Sequence, residues 1–182
     1  MITFTNVTKK YGSSVFALKD CSFTVEDESL AVLGCSGAGK TVLADILCGI
    51  TLPTLGKAEV CGLPADSRNA ADEVGYMPKV CPLSPSLTLT ESLAFAAKLR
   101  GLGDEAVEEA LVDADAAERF ASLPVGVLSG IEKKKAALAY ALLGAPKYLV
   151  LDQPLSGEEV IEAGNAAAPK FSALVRACLE QV

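Results

Sequence analysis

The chain of 182 residues contains no histidine, and its six cysteines never form a Cys-x-x-Cys pair. Histidine and closely spaced cysteines are the usual ligands of zinc in proteins, so we do not expect a zinc site. The cysteines are instead expected to be reduced and mostly buried thiols, which a cytosolic location permits, with Cys35 as the exception because it lies in a glycine-rich loop. An apolar content of 51% is enough to form a core without disulfides or metals.

Long apolar runs and an excess of positive charge are also missing. No segment approaches the roughly 20 apolar residues that a bilayer span requires, because charges such as Asp45, Glu91 and Lys98 interrupt each candidate. Residues 1–11 lack the apolar core of a signal peptide. A net charge of −7 argues against broad binding to nucleic acid. We therefore expect a cytoplasmic protein that binds no nucleic acid and reaches a membrane only through a partner.

The sequence instead alternates short apolar strands with helices. Strands are predicted at Ile2–Val7, Phe16–Val25, Ser29–Leu33, Ala58–Cys61, Glu73–Met77 and Tyr148–Leu151. Helices are predicted at Thr41–Cys48, at Thr90–Leu99 with Thr90 as cap, within Asp104–Leu123, at Ser129–Leu143 and from Glu158 onward. This layout predicts one α/β domain over residues 1–182, with a helical subdomain inserted at about residues 90–143.

Residues 34–41 follow a predicted strand, open a predicted helix and match the phosphate-binding pattern GxxxxGK[ST]. Glycines let successive backbone N–H groups point at phosphate oxygens, and the helix start adds its positive dipole end. The lysine is expected to reach the β- and γ-phosphates and the threonine hydroxyl to ligate Mg²⁺. The predicted phosphate-binding residues are Gly34, Cys35, Ser36, Gly37, Ala38, Gly39, Lys40 and Thr41.

A second motif, which ends in an acidic residue, and several shorter motifs occur in a distinctive order. Residues 148–152, Tyr-Leu-Val-Leu-Asp, form an apolar strand ending in a carboxylate, and a predicted helix opened by Leu-Ser-Gly precedes it. The shorter motifs are Lys-Tyr-Gly at 10–12, Val-Gly-Tyr-Met-Pro at 74–78 and Leu-Thr-Leu-Thr-Glu-Ser-Leu at 87–93. Over about residues 1–160 the chain resembles the ATP-binding-cassette (ABC) ATPases, the nucleotide-binding domains of ABC transporters. The resemblance implies a P-loop NTPase core of the ABC type, with the Walker A motif at 34–41.

The resemblance also implies roles for individual residues. Tyr11 would stack on adenine, and Asp152 with Thr41 would organise Mg²⁺. The signature residues Leu128, Ser129 and Gly130 would face the γ-phosphate of ATP bound by a second ABC domain, in a homodimer or heterodimer. The segment 79–85 would face a transmembrane permease subunit at the inner face of the membrane.

Departures from the family pattern fall on catalytic positions. Gln153 stands where the family has a glutamate base, and an amide cannot accept the proton of the attacking water. Lys79 replaces the Q-loop glutamine, and Ile131 would project where the partner's γ-phosphate approaches. The family's D-loop aspartate position holds Glu158 or Glu159. The switch histidine is absent, and the chain ends about where the helix before it would finish, so a C-terminally short cassette is expected.

These departures predict an ATP-binding subunit of an ABC transporter whose hydrolysis is weak or lost, with Lys40, Gln153 and Lys79 at the catalytic positions. Two alternatives stay open: a fully non-hydrolysing structural or regulatory cassette in a heterodimer, and a soluble ABC protein without a transport role. The run Lys133-Lys134-Lys135 is interpreted as the solvated face of the signature helix rather than as a binding patch.

Overall fold

A computed structural model describes residues 1–26, 29–116 and 120–154 of the chain. The strands are β1 (Ile2–Tyr11), β2 (Val15–Val25), β3 (Leu55–Val60), β4 (Leu63–Pro64), β5 (Val74–Met77) and β6 (Tyr148–Leu151). The helices are α1 (Lys40–Leu47), α2 (Arg68–Asp72), α3 (Leu89–Arg100), α4 (Asp104–Asp113) and α5 (Gly130–Leu142), with a short 3-10 turn at Val125–Val127. The chain divides into two compact units, Met1–Val74 and Gly75–Val182.

The first unit is built on an antiparallel sheet with strand order β2-β1-β3-β4. Strand β1 is central, and Ile2 lies opposite Val25 on one neighbour and Val60 on the other. Its alternating side chains are buried on one face, where Phe4 stacks on Phe23 with ring centroids 4.7 Å apart. Helix α1 contributes the buried side chains of Ala44, Ile46 and Leu47 to the same unit.

The second unit contains β5 beside β6 and the helices α3, α4 and α5. One hydrophobic cluster joins these helices, and its fully buried members include Leu89, Leu93 and Leu143. Beside it, the Asp152 N–H donates to the Met77 carbonyl at 2.9 Å, just past the end of β6. The helices lie at residues 89–142, close to the predicted helical block.

Most predicted elements are present, with boundaries shifted by a few residues, but the predicted cap of α3 is wrong. Helix α3 is capped by Thr88, whose hydroxyl accepts from the Glu91 N–H at 3.1 Å. The Glu91 carboxylate accepts in return from the Thr88 N–H at 2.8 Å, which completes a capping box. Glu91 stands three residues after Thr88, and this spacing selects Thr88 over Thr90.

The strand predicted at Ser29–Leu33 is also wrong. Residues 29–35 are irregular, and Leu30 and Leu33 are 53% and 68% exposed. An apolar run becomes a buried strand only where neighbouring strands pair with it, and none of the strands within the described residues does so. In the stretch Asp104–Leu123 the described helix ends at Asp113, and the helix predicted from Glu158 onward lies outside the described residues.

Candidate functional site

The phosphate loop in the first unit is exposed and leads directly into α1. Residues 34–38 are exposed, and Gly39 and Lys40 are half-buried. Gly39 precedes the helix as its N-cap residue with no side-chain cap, and the first turn of α1 carries no acidic residue. The first N–H groups of a helix have no partner within the helix, so a side chain, water or a ligand must satisfy them. This helix start suits an anion.

Two glycines give the loop its shape. Gly37 and Gly39 have φ angles of 83° and 88°, a left-handed conformation that glycine adopts without steric cost. A Cβ atom at residue 39 would overlap the Ala17 carbonyl oxygen of β2. The loop is closed further by a hydrogen bond from the Ala38 N–H to the Cys35 carbonyl at 3.2 Å. Gly39 therefore serves both the turn and the close approach to β2.

The Lys40 ammonium lies across this loop. Its Nζ donates to the Gly34 carbonyl at 2.6 Å and to the Cys35 carbonyl at 2.8 Å. The cation is thus held beside the exposed amides of the loop, where a phosphate group would meet both. Uncapped N–H groups, a lysine and a following threonine are the donor set that a nucleoside triphosphate requires, so the residues present fit ATP.

Tyr11, the predicted adenine-stacking residue, ends β1 in the same unit. Its side chain is 47% exposed, and the Lys9 Nζ lies 5.3 Å from the ring centroid. Tyr11 lies opposite Val15 of β2, the strand that contacts Gly39 through Ala17. The β1–β2 hairpin therefore connects the exposed ring to the phosphate loop.

Sequence reasoning missed a second exposed aromatic on this hairpin. Phe16 is 51% exposed and has the Lys10 ammonium 5.2 Å and the Lys19 ammonium 5.9 Å from its ring centroid. The signal that could have found it is its place at the start of a strand directly after the Gly-Ser-Ser turn.

The signature residues lie at the start of α5 in the second unit. Leu128 is buried, Ser129 is the N-cap and Gly130 is the first helical residue. The Ser129 N–H donates to the Glu132 carboxylate at 2.9 Å, and the Ser129 hydroxyl accepts from the Glu132 N–H at 3.4 Å. Ile131, expected to project toward a partner's phosphate, is half-buried and packs against the hydrophobic cluster.

The remaining predicted residues follow β5 and β6. Asp152, directly after β6, is 8% exposed, whereas Lys79 and Gln153 are exposed. Gln153 has a φ of 53°, a left-handed conformation that residues other than glycine adopt only rarely. Thr41 belongs to the first unit and Asp152 to the second, and their shared role at Mg²⁺ stays a prediction.

The interpretation of Lys133-Lys134-Lys135 as a solvated face is wrong. Lys135 is 7% exposed, and its ammonium forms an ion pair with the Asp115 carboxylate at 2.6 Å. Lys134 is half-buried, and its Nζ donates to the Lys79 carbonyl at 2.8 Å and the Gln153 carbonyl at 3.0 Å. Single-sequence reasoning sees three consecutive charges here, whereas the turn of the helix points each one at a different environment.

The thiols are more accessible than expected. Cys21, Cys48, Cys61 and Cys81 are half-buried, and Cys35 in the phosphate loop is exposed. Burial raises the pKa of Cys48 to about 12, with the nearby Asp45 carboxylate adding to the rise. Burial likewise raises the pKa of Cys81, which an N–H of Leu83 and the charges of Lys133 and Lys134 partly offset. The sixth cysteine, Cys178, lies outside the described residues.

The α/β fold, with a phosphate loop at the start of α1, defines a nucleotide-binding protein of the P-loop class. A protein-family model described as ABC transporter matches residues 18–156, about three quarters of the sequence, so the chain belongs to the ABC transporter family. Members of this family generally bind ATP with Mg²⁺. Within the described residues no helix has the length and apolarity needed to cross a membrane.

Relatives of known role support the family assignment. The chain is 36% identical over 162 residues to the Nod factor export ATP-binding protein I of Burkholderia lata, covering 86% of this chain and 53% of that protein. It is 34% identical over 169 residues to the molybdate/tungstate import ATP-binding protein WtpC of Pyrococcus abyssi, covering 88% and 47%. The chain therefore spans about half the length of the curated relatives it matches.

Solved structures show the same fold. The dimeric post-hydrolysis state of the ATP-binding cassette MJ0796, bound to ADP and Pi, matches with a TM-score of 0.77 at 26% identity, covering 87% of this chain and 78% of that one. CbiO1 from Clostridium perfringens, part of the ABC transporter complex cbiONQ, matches with a TM-score of 0.73 at 27% identity, covering 88% and 69%. The predicted fold class, an α/β P-loop core of the ABC type, is confirmed.

Proposed function

We propose that this chain is an ATP-binding subunit of an ABC transporter that binds Mg-ATP through residues 34–41. The observation that carries the proposal is the start of α1. There an exposed glycine-rich loop, a helix N-terminus without a side-chain cap and the Lys40 ammonium converge. The similar ATP-binding cassette MJ0796 has been solved bound to ADP and Pi.

The predicted nucleotide-binding and metal-binding residues have separate roles in this proposal. Lys40 and the loop amides would bind the phosphates, and the exposed ring of Tyr11 would stack on adenine. Thr41 and Asp152 would hold the Mg²⁺ ion, which neutralises charge on the phosphate oxygens when bound. The proposal treats residues 1–182 as one ABC-type nucleotide-binding domain, with its helical subdomain at about 90–143.

Hydrolysis is proposed to be weak or lost. Gln153 can orient a water molecule but cannot take its proton, and loss of a general base costs about 10²- to 10⁴-fold in rate. Lys79 can pair with a phosphate, yet it replaces the amide that would contact water and Mg²⁺. A fully non-hydrolysing regulatory half of a heterodimer is the second candidate, and Gln153 is the residue that favours it.

The proposed partners are a second ABC domain and a transmembrane permease. Dimeric cassettes and a cassette from a multi-subunit transporter complex are among the solved structures that this chain resembles. The chain would then lie in the cytoplasm, peripheral to the inner face of the membrane, with segment 79–85 against the permease. The names of its relatives include one exporter and one importer, so the proposal extends to ATP binding and not to a cargo.

Measuring Mg-ATP binding and phosphate release on the same sample tests the function. The parent chain is expected to bind Mg-ATP and to release phosphate well below an ordinary enzyme rate of about 1 per second. Lys40→Ala should lose binding, and Gln153→Glu should raise release if the missing base is the main defect. Release by the parent at an ordinary rate, abolished by Lys40→Ala, would refute the loss of hydrolysis. No binding by the parent would refute the function itself.

A further inference from the structure

Lys134 contacts two positions that separate strands bring to the same end of the second unit. Strands β5 and β6 are neighbours, and a hydrogen bond from the Asp152 N–H to the Met77 carbonyl cross-links the chain at their ends. Lys79 follows two residues after Met77, and Gln153 follows directly after Asp152. The Lys134 Nζ donates hydrogen bonds to the carbonyls of both residues, at 2.8 and 3.0 Å. It thus extends the cross-link past the end of the sheet.

We propose that Lys134 is a positioning residue, which clamps the backbone at Lys79 to the backbone at Gln153. The proposal rests on the proposed function, in which positions 79 and 153 serve the phosphate end of bound ATP. Because both backbones are held to one cation, Lys134 fixes the positions from which the Lys79 and Gln153 side chains extend. A change at either position is then transmitted to the other through the shared ammonium group.

The surroundings of Lys134 suit this role. The next residues of α5, Lys135 to Ala137, are buried, so the helix that carries the clamp is itself anchored in the second unit. Gln153 has a φ of 53°, and such a conformation persists where the surroundings hold it in place. A hydrogen bond from a charged group to its carbonyl supplies that restraint. The neighbouring Lys133 differs, since its Nζ donates to another carbonyl, that of Gly126, at 3.3 Å.

The first test measures the clamp without nucleotide. Lys134→Met keeps most of the aliphatic stem and removes the donors, and Lys133→Met is the matched control on the same helix. We expect hydrogen exchange of the Asp152 amide to rise about fivefold in Lys134→Met and to stay unchanged in Lys133→Met. Lys134→Arg, which keeps a cationic donor, should restore slow exchange. Unchanged exchange in Lys134→Met would overturn the clamp. If that variant does not fold, Lys134→Leu, which also lacks a donor, replaces it under the same criterion.

The second test asks whether the clamp serves ATP. The affinities of the parent and of Lys134→Met for Mg-ATP and Mg-ADP are compared by calorimetry. We expect the preference for ATP over ADP to fall about tenfold in the variant, while the ADP affinity stays the same. Loss of structure alone would lower both affinities together. An unchanged preference would overturn the role toward nucleotide. If the parent binds neither nucleotide, the proposed function fails and that role with it, while the exchange result still decides the clamp.

Discussion

The starts of α1 and α5 differ in how their first N–H groups are satisfied. Both helices begin with N–H groups that have no partner within the helix. At α1 the N-cap is Gly39, without a side-chain cap and without an acid in the first turn. At α5 a complete capping box satisfies two N–H groups from within the chain, those of Ser129 and Glu132. A helix start kept free of its own carboxylate is one built for a foreign anion.

The residues around these two helix starts differ as well. Residues 34–41 match the phosphate-binding pattern in full. In the second unit, Gln153 and Lys79 stand at the predicted catalytic positions, and their carbonyls accept hydrogen bonds from Lys134. The comparison thus contrasts a start of α1 without a side-chain cap with a start of α5 that the chain caps itself. Substitutions that affect binding and stability separately can test this contrast.

The largest effect is expected at Lys40. Lys40→Ala should weaken Mg-ATP binding by about 100-fold, because a charged donor to the phosphates is lost. The free energy of unfolding should change little, since the ammonium contacts only exposed carbonyls. Titration calorimetry and urea unfolding of the same variant separate the two quantities. Lys57→Ala, at an exposed lysine of β3, is the matched control. Equal loss of affinity in both variants would show that Lys40 has no specific role in binding the phosphates.

A smaller effect is expected where the loop approaches β2. Gly39→Ala should lower the free energy of unfolding by about 2–3 kcal/mol, because the residue has a left-handed φ and its Cβ would overlap the Ala17 carbonyl oxygen. Gly12→Ala is the control, since Gly12 has a φ of 60° but no atom within 4 Å of an added Cβ. It should cost only about 1 kcal/mol. Urea unfolding measures both, and equal costs would mean that the approach to β2 is not tight.

Features that depend on local spacing could be predicted from the sequence. The glycines and lysine of residues 34–41 stand at fixed intervals, so the turn and the following helix could be inferred without knowing any distant contact. The cap of α3 was within reach for the same reason, because Glu91 lies three residues after Thr88. The prediction failed there by preferring the threonine closest to the helical pattern.

Features that depend on distant partners could not be predicted. The exposure of residues 29–33 is decided by which strands pair with them, and an apolar run does not encode that pairing. The burial of Lys135 depends on Asp115, 20 residues away. Lys134 looked the same as its neighbours, since its two acceptors are backbone carbonyls that carry no signal in the sequence.

The ion pair of Lys135 tests the internal order of the second unit. Asp115→Asn should lower the free energy of unfolding by about 1 kcal/mol, because the buried ammonium loses its charged partner while half of the Asp115 side chain is solvated. Asn tolerates the φ of 54° found at this residue, so the change isolates the charge. Glu108→Gln, at an exposed acid of α4, is the control for net charge. Nucleotide affinity should stay the same, and a large change in it would show that this pair serves the ligand.

The smallest effect is expected at the capping box of α3. Hydrogen bonds from the Thr88 N–H and hydroxyl hold the pKa of Glu91 below its ordinary value of 4.5. A carboxyl whose pKa is lower in the folded than in the unfolded chain stabilises the fold above the unfolded value and loses that contribution as pH falls through the folded value.

Glu91→Gln keeps a cap acceptor but removes the titrating charge. Its free energy of unfolding should fall slightly below that of the parent at neutral pH and converge with it as the pH falls through the lowered pKa of Glu91. Denaturant unfolding at a series of pH values measures the difference, with Glu105→Gln, at an exposed acid in the first turn of α4, as control. If the difference in free energy of unfolding between the parent and Glu91→Gln persists unchanged at acid pH, the charge of Glu91 does not contribute to the stability of this cap. The start of α3 would then resemble that of α1, whose first turn contains no acidic residue.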